Sequence, residues 1–400
     1  MSRILRGITA ALMAVLLPAM LGAAASYSPS ADAAAHTLSA DVVAKLPAER
    51  KGKVLLYGAY GFTGKGIARL AKEYGITPIL SGRNEEKLSA FAGEVGLEYI
   101  TLSLDDNHAN LVEILRHFEL VLHIAGPYTF TAKPMLDAVV EAGTHYVDLT
   151  GENHVILDQL DRHEEFVAAN VMVMPAVGYD VVPTDCLNMY VAQNLSEPTL
   201  LVLEMNGNYT DVEGTPASRG TIKSALELLS RPLQLRIDGK MVESVEPKVI
   251  EREVDGQTQT LLQIPWADMV TSWVSTGVPT IEVYQLQDGT VPGWLPWLAQ
   301  REWGKKLLVW AIDTFAPEGP PPEAQENRQT RLVSTATNRA GETFSAEMIT
   351  PEPYRLTFHS TLIIANKILA GQWSPGFQTP AKMYGSELAL EIPGVTRRDL

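Results

Sequence analysis

The sequence predicts an α/β protein with two folded domains: a doubly wound parallel sheet, then an α+β domain built on a mainly antiparallel sheet. Three observations carry this expectation. Over residues 53–182, short apolar runs alternate with single helical patterns, and such alternation produces right-handed crossovers between parallel strands. A turn with glycine at every third position, Gly58, Gly61 and Gly64, separates the first apolar run from the first helical pattern. Beyond residue 183 the segments become longer and alternate apolar with polar, as strands with one solvated face do.

The first run, Val54-Leu55-Leu56-Tyr57, is apolar throughout and suits a strand buried on both faces. Ile67, Leu70, Ala71 and Tyr74 then recur at i, i+3, i+4 and i+7, and Gly75 follows as a C-cap. The pattern repeats with strands over 78–80, 99–104, 120–125, 146–149 and 171–176. Helices are expected between them over 85–95, 110–118, 133–142 and 156–169. Pro183-Thr184-Asp185 starts the next helix. In the second domain strands are expected over 200–205, 248–254, 258–264 and 280–286, with one helix over 217–230. Domain boundaries follow: 1–25 a leader, 26–52 a tether, 53–182 the parallel domain, 183–355 the α+β domain for substrate or dimer contacts. Residues 356–400 form a C-terminal helix and tail that pack back on the first domain.

The 400 residues exceed what one hydrophobic core usually organises. A formal net charge of -15 repels phosphate backbones, so no nucleic acid is expected as a partner. Cys186 is the single cysteine, which excludes an intrachain disulfide, and no Cys/His spacing suits a metal. Arg3 and Arg6 precede an apolar run over 8–25 and then alanine-rich sites around Ala25 and Ala33, the pattern of a signal peptide. The leader predicts export to the periplasm or exterior, or membrane anchoring if it stays uncleaved. Trp294, Trp297, Trp303 and Trp310 stand close together with Arg301, Lys305 and Lys306. That composition suits a lipid interface, but the expectation taken here is a helix that packs its indoles inward.

The glycine turn carries the chemistry. G-x-x-G-x-x-G between a strand and a helix is a variant of the dinucleotide fingerprint. Gly58 permits the turn, Gly61 lets backbone N–H groups near a diphosphate, and Gly64 lets helix touch strand. Tyr60, Phe62 and Thr63 complete the loop. After the second strand stand Ser81, Arg83 and Asn84, where an NAD-selective site places an acid. A guanidinium there suits a 2′-phosphate, so the cofactor expected is NADP(H). Ala125, Gly126 and Pro127, with Tyr128, follow the fourth strand at the edge where cofactor and substrate meet.

With these motifs in order, "LLYGAYGFTGKGIARL", "PILSGRNEEKL", "VLHIAGPY", "EAGTHYVDLTGE" and "VGYDVVPTDCL", the chain resembles the saccharopine dehydrogenase-like oxidoreductases, which include trans-acting enoyl reductases. "STGVPTIEVY", "GFQTPAKMYG" and "LEIPGVTRRDL" extend the resemblance to residue 400. It implies an NADP-binding Rossmann domain, a second α+β domain often used for dimerisation, and hydride transfer. Tyr60 departs from it, since such proteins commonly carry threonine there.

A hydride transfer needs a proton carrier. Tyr128, His145 and Asp148 are the catalytic candidates, with Tyr146, Glu152, Tyr179 and Asp180 nearby in the same strand-end loops. The function expected is reduction of a small or lipid-like carbonyl, imine or enoyl compound. A non-catalytic NADP-binding or membrane-associated module and an atypical short-chain reductase are the alternatives. No Y-x-x-x-K pair follows the fourth strand, because Tyr128 and Lys133 stand one position too far apart. A membrane surface and a second copy of the chain stay open as partners.

Overall fold

The computed structural model describes residues 38, 40–208, 217–244, 246–254, 257–286, 294–321 and 328–400. The leader expected over 1–25 lies outside the described residues. Among them no helix is long and apolar enough to cross a membrane.

The parallel sheet starts with β1 (Val54–Tyr57), β2 (Ile79–Gly82), β3 (Tyr99–Thr101), β4 (Leu120–His123), β5 (His145–Asp148) and β6 (Met172–Met174). The strand order, with β15 (Gly376–Phe377) at one edge, is β15-β6-β5-β4-β1-β2-β3, every pair parallel. This doubly wound order reverses direction between β1 and β4, and the crevice beyond their carboxyl ends is where such sheets bind ligands. Residues of β1, β2, β4 and β5 are buried throughout, as helices on both faces require. Leu56, Leu80 and Leu122 pack on one face, Leu55, Val121 and Tyr146 on the other, the alternation that a pleated strand imposes.

On these faces lie α1 (Ala40–Lys45), α2 (Phe62–Ala71), α3 (Glu85–Val95), α4 (His108–Leu115), α5 (Tyr128–Ala142), α6 (Asn153–Asp161) and α7 (His163–Ala168). Several elements depart from the expected bounds. The α5 helix begins at Tyr128 rather than residue 133 because the Glu152 carboxylate accepts the N–H groups of Tyr128 and Thr129, satisfying donors a helix start leaves open. The stretch expected as one helix over 156–169 breaks into α6 and α7 at Arg162. The third strand stops at Thr101 because Asp106 turns the chain by accepting from Ser103 N.

After α8 (Val182–Gln193) comes a mixed nine-stranded sheet. It holds β7 (Pro198–Asn208), β8 (Leu233–Ile237), β9 (Lys240–Ser244), β10 (Val249–Val254), β11 (Gln257–Gln263), β12 (Thr280–Leu286), β13 (Gln329–Asn338), β14 (Thr343–Pro351) and β16 (Thr396–Asp399). Its pairs are antiparallel except β12 with β7. The β8–β9 hairpin turns at Asp238 and Gly239, both at positive φ, a dipeptide that marks such turns. Between strands lie α9 (Arg219–Leu229), α10 (Asp268–Thr276), α11 (Trp294–Ala299) and α12 (Glu302–Phe315), and α13 (Pro353–Leu369) and α14 (Pro380–Tyr384) follow.

The chain's last segment returns to the first domain. Phe358 of α13 fills the space beside Gly66 of α2, where any side chain would collide with its ring at 2.2 Å. The β15 strand then extends the parallel sheet by pairing with β6.

The inward packing expected for Trp294, Trp297, Trp303 and Trp310 is overturned. All four are between 37% and 59% exposed. The inner side of α11 and α12 is instead filled by Leu295, Leu298, Leu308 and Ile312, packed with Ile222 and Leu226 of α9. At about 1.5–3 kcal/mol per buried Leu or Ile, that small core holds the three helices together.

Candidate active site

The glycine loop sits at the carboxyl ends of β1 and β2. Gly58 and Ala59 both donate to the Ser81 carbonyl, at 2.9 and 3.1 Å, pinning the turn over the end of β2. Gly58 has a φ of +90°, and a Cβ there would approach the Ile124 backbone at 2.9 Å. At Gly64 a Cβ would lie 2.3 Å from the Gly58 carbonyl oxygen. Only glycine lets the helix start and the turn approach so closely. No side chain caps Gly61 at the start of α2, so the first-turn N–H groups stay available to an anion, with the helix dipole behind them. This cradle fits a dinucleotide diphosphate.

The residues expected at the adenosine end lie at the close of β2. Arg83 is exposed beyond β2, with no ion pair or hydrogen bond among the described residues, and Ser81 Oγ is buried without a hydrogen-bond partner. Tyr60 lies flat on the chain at Gly82, where a Cβ would meet its ring at 2.5 Å. Asn84 is committed differently: its Oδ1 accepts from Lys87 N at 2.9 Å and caps α3. On the other side of β1, the loop of Ala125, Gly126 and Pro127 leads into α5, with Thr131 Oγ1 donating to the Ala125 carbonyl at 2.6 Å.

A cavity of about 290 Å³ opens between the domains from this edge. Thr63, Ile124 and Gly126 bound it on the cofactor side, and Met205, Leu286 and Thr330 on the second sheet. Ser218, Thr221, Ser224 and Leu228, at the start of and along α9, form its roof. The roof is tied down: Tyr354 at the start of α13 accepts from Ser218 N at 2.6 Å, and Ser224 Oγ donates to Glu152 at 3.2 Å. Phe62 of the glycine loop packs edge-on against Tyr354.

The three catalytic candidates fare differently, and none brings a free proton to the cavity. His145 opens β5 rather than closing it, so it lies at the amino edge of the sheet. There it accepts from Met172 N and packs against Trp373, and burial lowers its pKa to about 4. Asp148 is buried and saturated, accepting from Thr150 N, Ala176 N, Tyr146 Oη and Gln159 Nε2 at 2.9–3.1 Å. Burial raises its pKa to about 6, against these opposing hydrogen bonds. The Tyr128 ring lines the cavity, but its hydroxyl donates to the His123 carbonyl and accepts from Leu149 N. Tyr146 completes the buried cluster, its hydroxyl 2.9 Å from His123 Nδ1. Burial holds His123 near a pKa of 3, hence neutral.

Asp180 stands apart. It lines the cavity, and its Oδ1 is sealed from solvent with no hydrogen-bond partner among the described residues. Gly151 makes room for it: a Cβ there would lie 2.6 Å from Asp180 Oδ2. Burial alone raises its pKa to about 7. Trp266, whose Nε1 is another buried polar atom without a partner among the described residues, also lines the cavity. Glu352, its pKa raised by burial to about 7, and Arg328 complete the polar wall. The sequence reading missed Trp266, Arg328, Glu352 and Tyr354, because each reaches the site from a second-domain segment without local motif.

Glycine cradle, unacidic β2 end and strand-edge cavity together define a dinucleotide-binding domain of the NADP class. Residues 54–174 match the family described as saccharopine dehydrogenase NADP binding domain. A trans-acting enoyl reductase of Mycobacterium tuberculosis is 33% identical over 151 residues, 36% of either chain. A human saccharopine dehydrogenase-like oxidoreductase is 26% identical over 200 residues, 44% of this chain and 46% of that one. The matched region thus spans less than half the length of these curated relatives. The saccharopine dehydrogenase (L-Glu forming) of Saccharomyces cerevisiae covers 87% of this chain and 99% of its own with a TM-score of 0.58 at 14% identity, which establishes the two-domain fold.

Proposed function

We propose that this chain is an NADPH-dependent oxidoreductase that reduces a small or lipid-like carbonyl, imine or enoyl compound in the interdomain cavity, with Asp180 as proton donor. The observation that carries the reading is the pair of partnerless buried polar atoms, Asp180 Oδ1 and Trp266 Nε1, in a cavity continuous with the glycine loop. Buried polar atoms without partners are rare and invite a ligand that completes them. NADPH supplies a hydride when bound. The α2 amides would hold its diphosphate, Arg83 would meet the 2′-phosphate, and Gly126 would leave room for the nicotinamide end beside the cavity. Trp266 Nε1 orients an acceptor oxygen or nitrogen by donating to it. The Asp180 carboxyl would give its proton to the acceptor heteroatom, or to the α-carbon of an enoyl group, and would become a carboxylate. A pKa near 7 keeps the acid half-protonated at neutral pH, close to the optimum for proton transfer. The apolar part of the wall, including Met205, Leu228 and Leu286, accommodates an acyl chain.

The test is a fluorescence titration with NADPH and NADH, followed by cofactor oxidation against a panel of aldehydes, imines and enoyl thioesters. NADPH binding with turnover of one class supports the reading. Failure of both nucleotides to bind ends it.

A further inference from the structure

We infer that the outer face of α11 and α12 is a docking surface for a phospholipid bilayer. Trp294, Trp297, Trp303, Trp310 and Phe315 expose between 37% and 59% of their surface there, and Phe130 of α5 exposes 62%. Soluble proteins rarely leave so many large aromatic groups on one face unless it is a contact site. The arrangement is regular. Trp303, Lys306 and Trp310 follow at i, i+3 and i+7 on α12, one stripe of the helix, whereas Gly304, Leu308, Ala311 and Ile312 form the buried stripe. Both sides of the helix are therefore apolar, and only one of them is covered by protein. Lys306 is 81% exposed, and the Arg301 guanidinium stacks over the Trp297 ring at 3.6 Å. Lys305, on the other side of α12, reaches Glu227 of α9 and approaches the Phe130 ring.

Chemistry selects the occupant. Indole rings favour the boundary between headgroups and acyl chains, where ring and N–H are both accommodated, and lysine reaches from that depth to the phosphates. Residues 294–315 hold three basic and two acidic side chains, a balance of +1 on a chain of net -15. This segment is therefore not part of the chain's negative excess, which lowers the repulsion an anionic surface meets there. The apolar run over 8–25, which predicts passage through or retention in a membrane, places a bilayer within reach. The inference stands independently of the proposed reduction, although α9, which packs under α11 and α12, also roofs the cavity.

All seven tryptophans lie between residues 266 and 373, none of them in the leader, so their fluorescence reports on the folded body even where the leader inserts. The full-length chain is mixed with phosphatidylcholine–phosphatidylglycerol vesicles carrying brominated acyl chains. Four of the seven indoles lie on the face, so bromine should quench roughly half of the emission, and the Trp303→Ser/Trp310→Ser variant should lose much of that quenching. Lys306→Glu, at an exposed position, should weaken partitioning about fivefold without changing the circular dichroism. Equal emission with brominated and unbrominated vesicles overturns the inference, as does quenching that the tryptophan variant leaves intact. So does a dimer that Trp303→Ser dissociates while vesicles leave the emission unquenched, because the face would then be a subunit interface.

Discussion

Asp148 ends β5 and Asp180 follows β6 at the carboxyl edge of the same sheet, each with a carboxyl oxygen sealed from bulk water, yet they are built for opposite purposes. Asp148 receives two backbone N–H groups, a tyrosine hydroxyl and a glutamine amide. Asp180 Oδ1 receives nothing. Each pKa is raised by burial, to about 6 for Asp148 and about 7 for Asp180. The hydrogen bonds to Asp148 stabilise its charged form and restrain its rise, whereas nothing offsets desolvation at Asp180. A saturated carboxylate fixes loops. An unsaturated one facing a cavity can trade a proton.

Replacing each acid sharpens this contrast. Asp180→Asn should lower turnover 10²- to 10⁴-fold, the usual contribution of a general acid, with NADPH affinity retained and thermal stability not reduced. A variant that keeps full turnover removes Asp180 from the mechanism. Asp148→Ala should act on the fold instead. It strands the Thr150 and Ala176 N–H groups together with Tyr146 and Gln159, so denaturant unfolding should show a loss of about 2–4 kcal/mol. An unchanged midpoint would contradict the clamp role.

Arg83→Ala should weaken NADPH binding by about 1.5–3 kcal/mol, the range of a charge-assisted hydrogen bond, and leave NADH binding unaltered. Equal losses for the two nucleotides would deny the 2′-phosphate contact. The pH dependence offers the mildest perturbation. If the protonated Asp180 is the active form, turnover should decline as pH rises through about 7, and the step should vanish in Asp180→Asn. The stability effect has the same direction. A carboxyl whose folded pKa is about 7, against an ordinary 3.8, holds a proton that the unfolded chain releases. Unfolding free energy should therefore fall as pH climbs from about 4 to 7, and fall less in Asp180→Asn.

Much of this site was legible locally. Gly58, Gly61 and Gly64 announce the cradle because each glycine answers a steric demand within a few residues, and Arg83 stands at a fixed distance along the same βα unit. The catalytic candidates were legible only as a neighbourhood. Tyr128, His145 and Asp148 have the right chemistry, but whether a polar group is free depends on donors such as Ala176 N and Gln159 Nε2, which come from other turns of the chain. The tryptophans of α11 and α12 show the same limit, because their exposure is decided by which stripe of α12 meets α9.

The sequence by itself determined the alternation of strands and helices, the dinucleotide turn and the absence of an acid after β2, since these depend on periodicity and on backbone sterics over a few residues. Tertiary structure alone decided that β15 completes the parallel sheet from the far end of the chain, and that Trp266, Arg328 and Glu352 share a cavity with Asp180. It also decided which buried acid stays unpaired. Desolvation and hydrogen-bond saturation are properties of the space around a group, and that space is assembled from segments that are neighbours in the fold rather than along the chain.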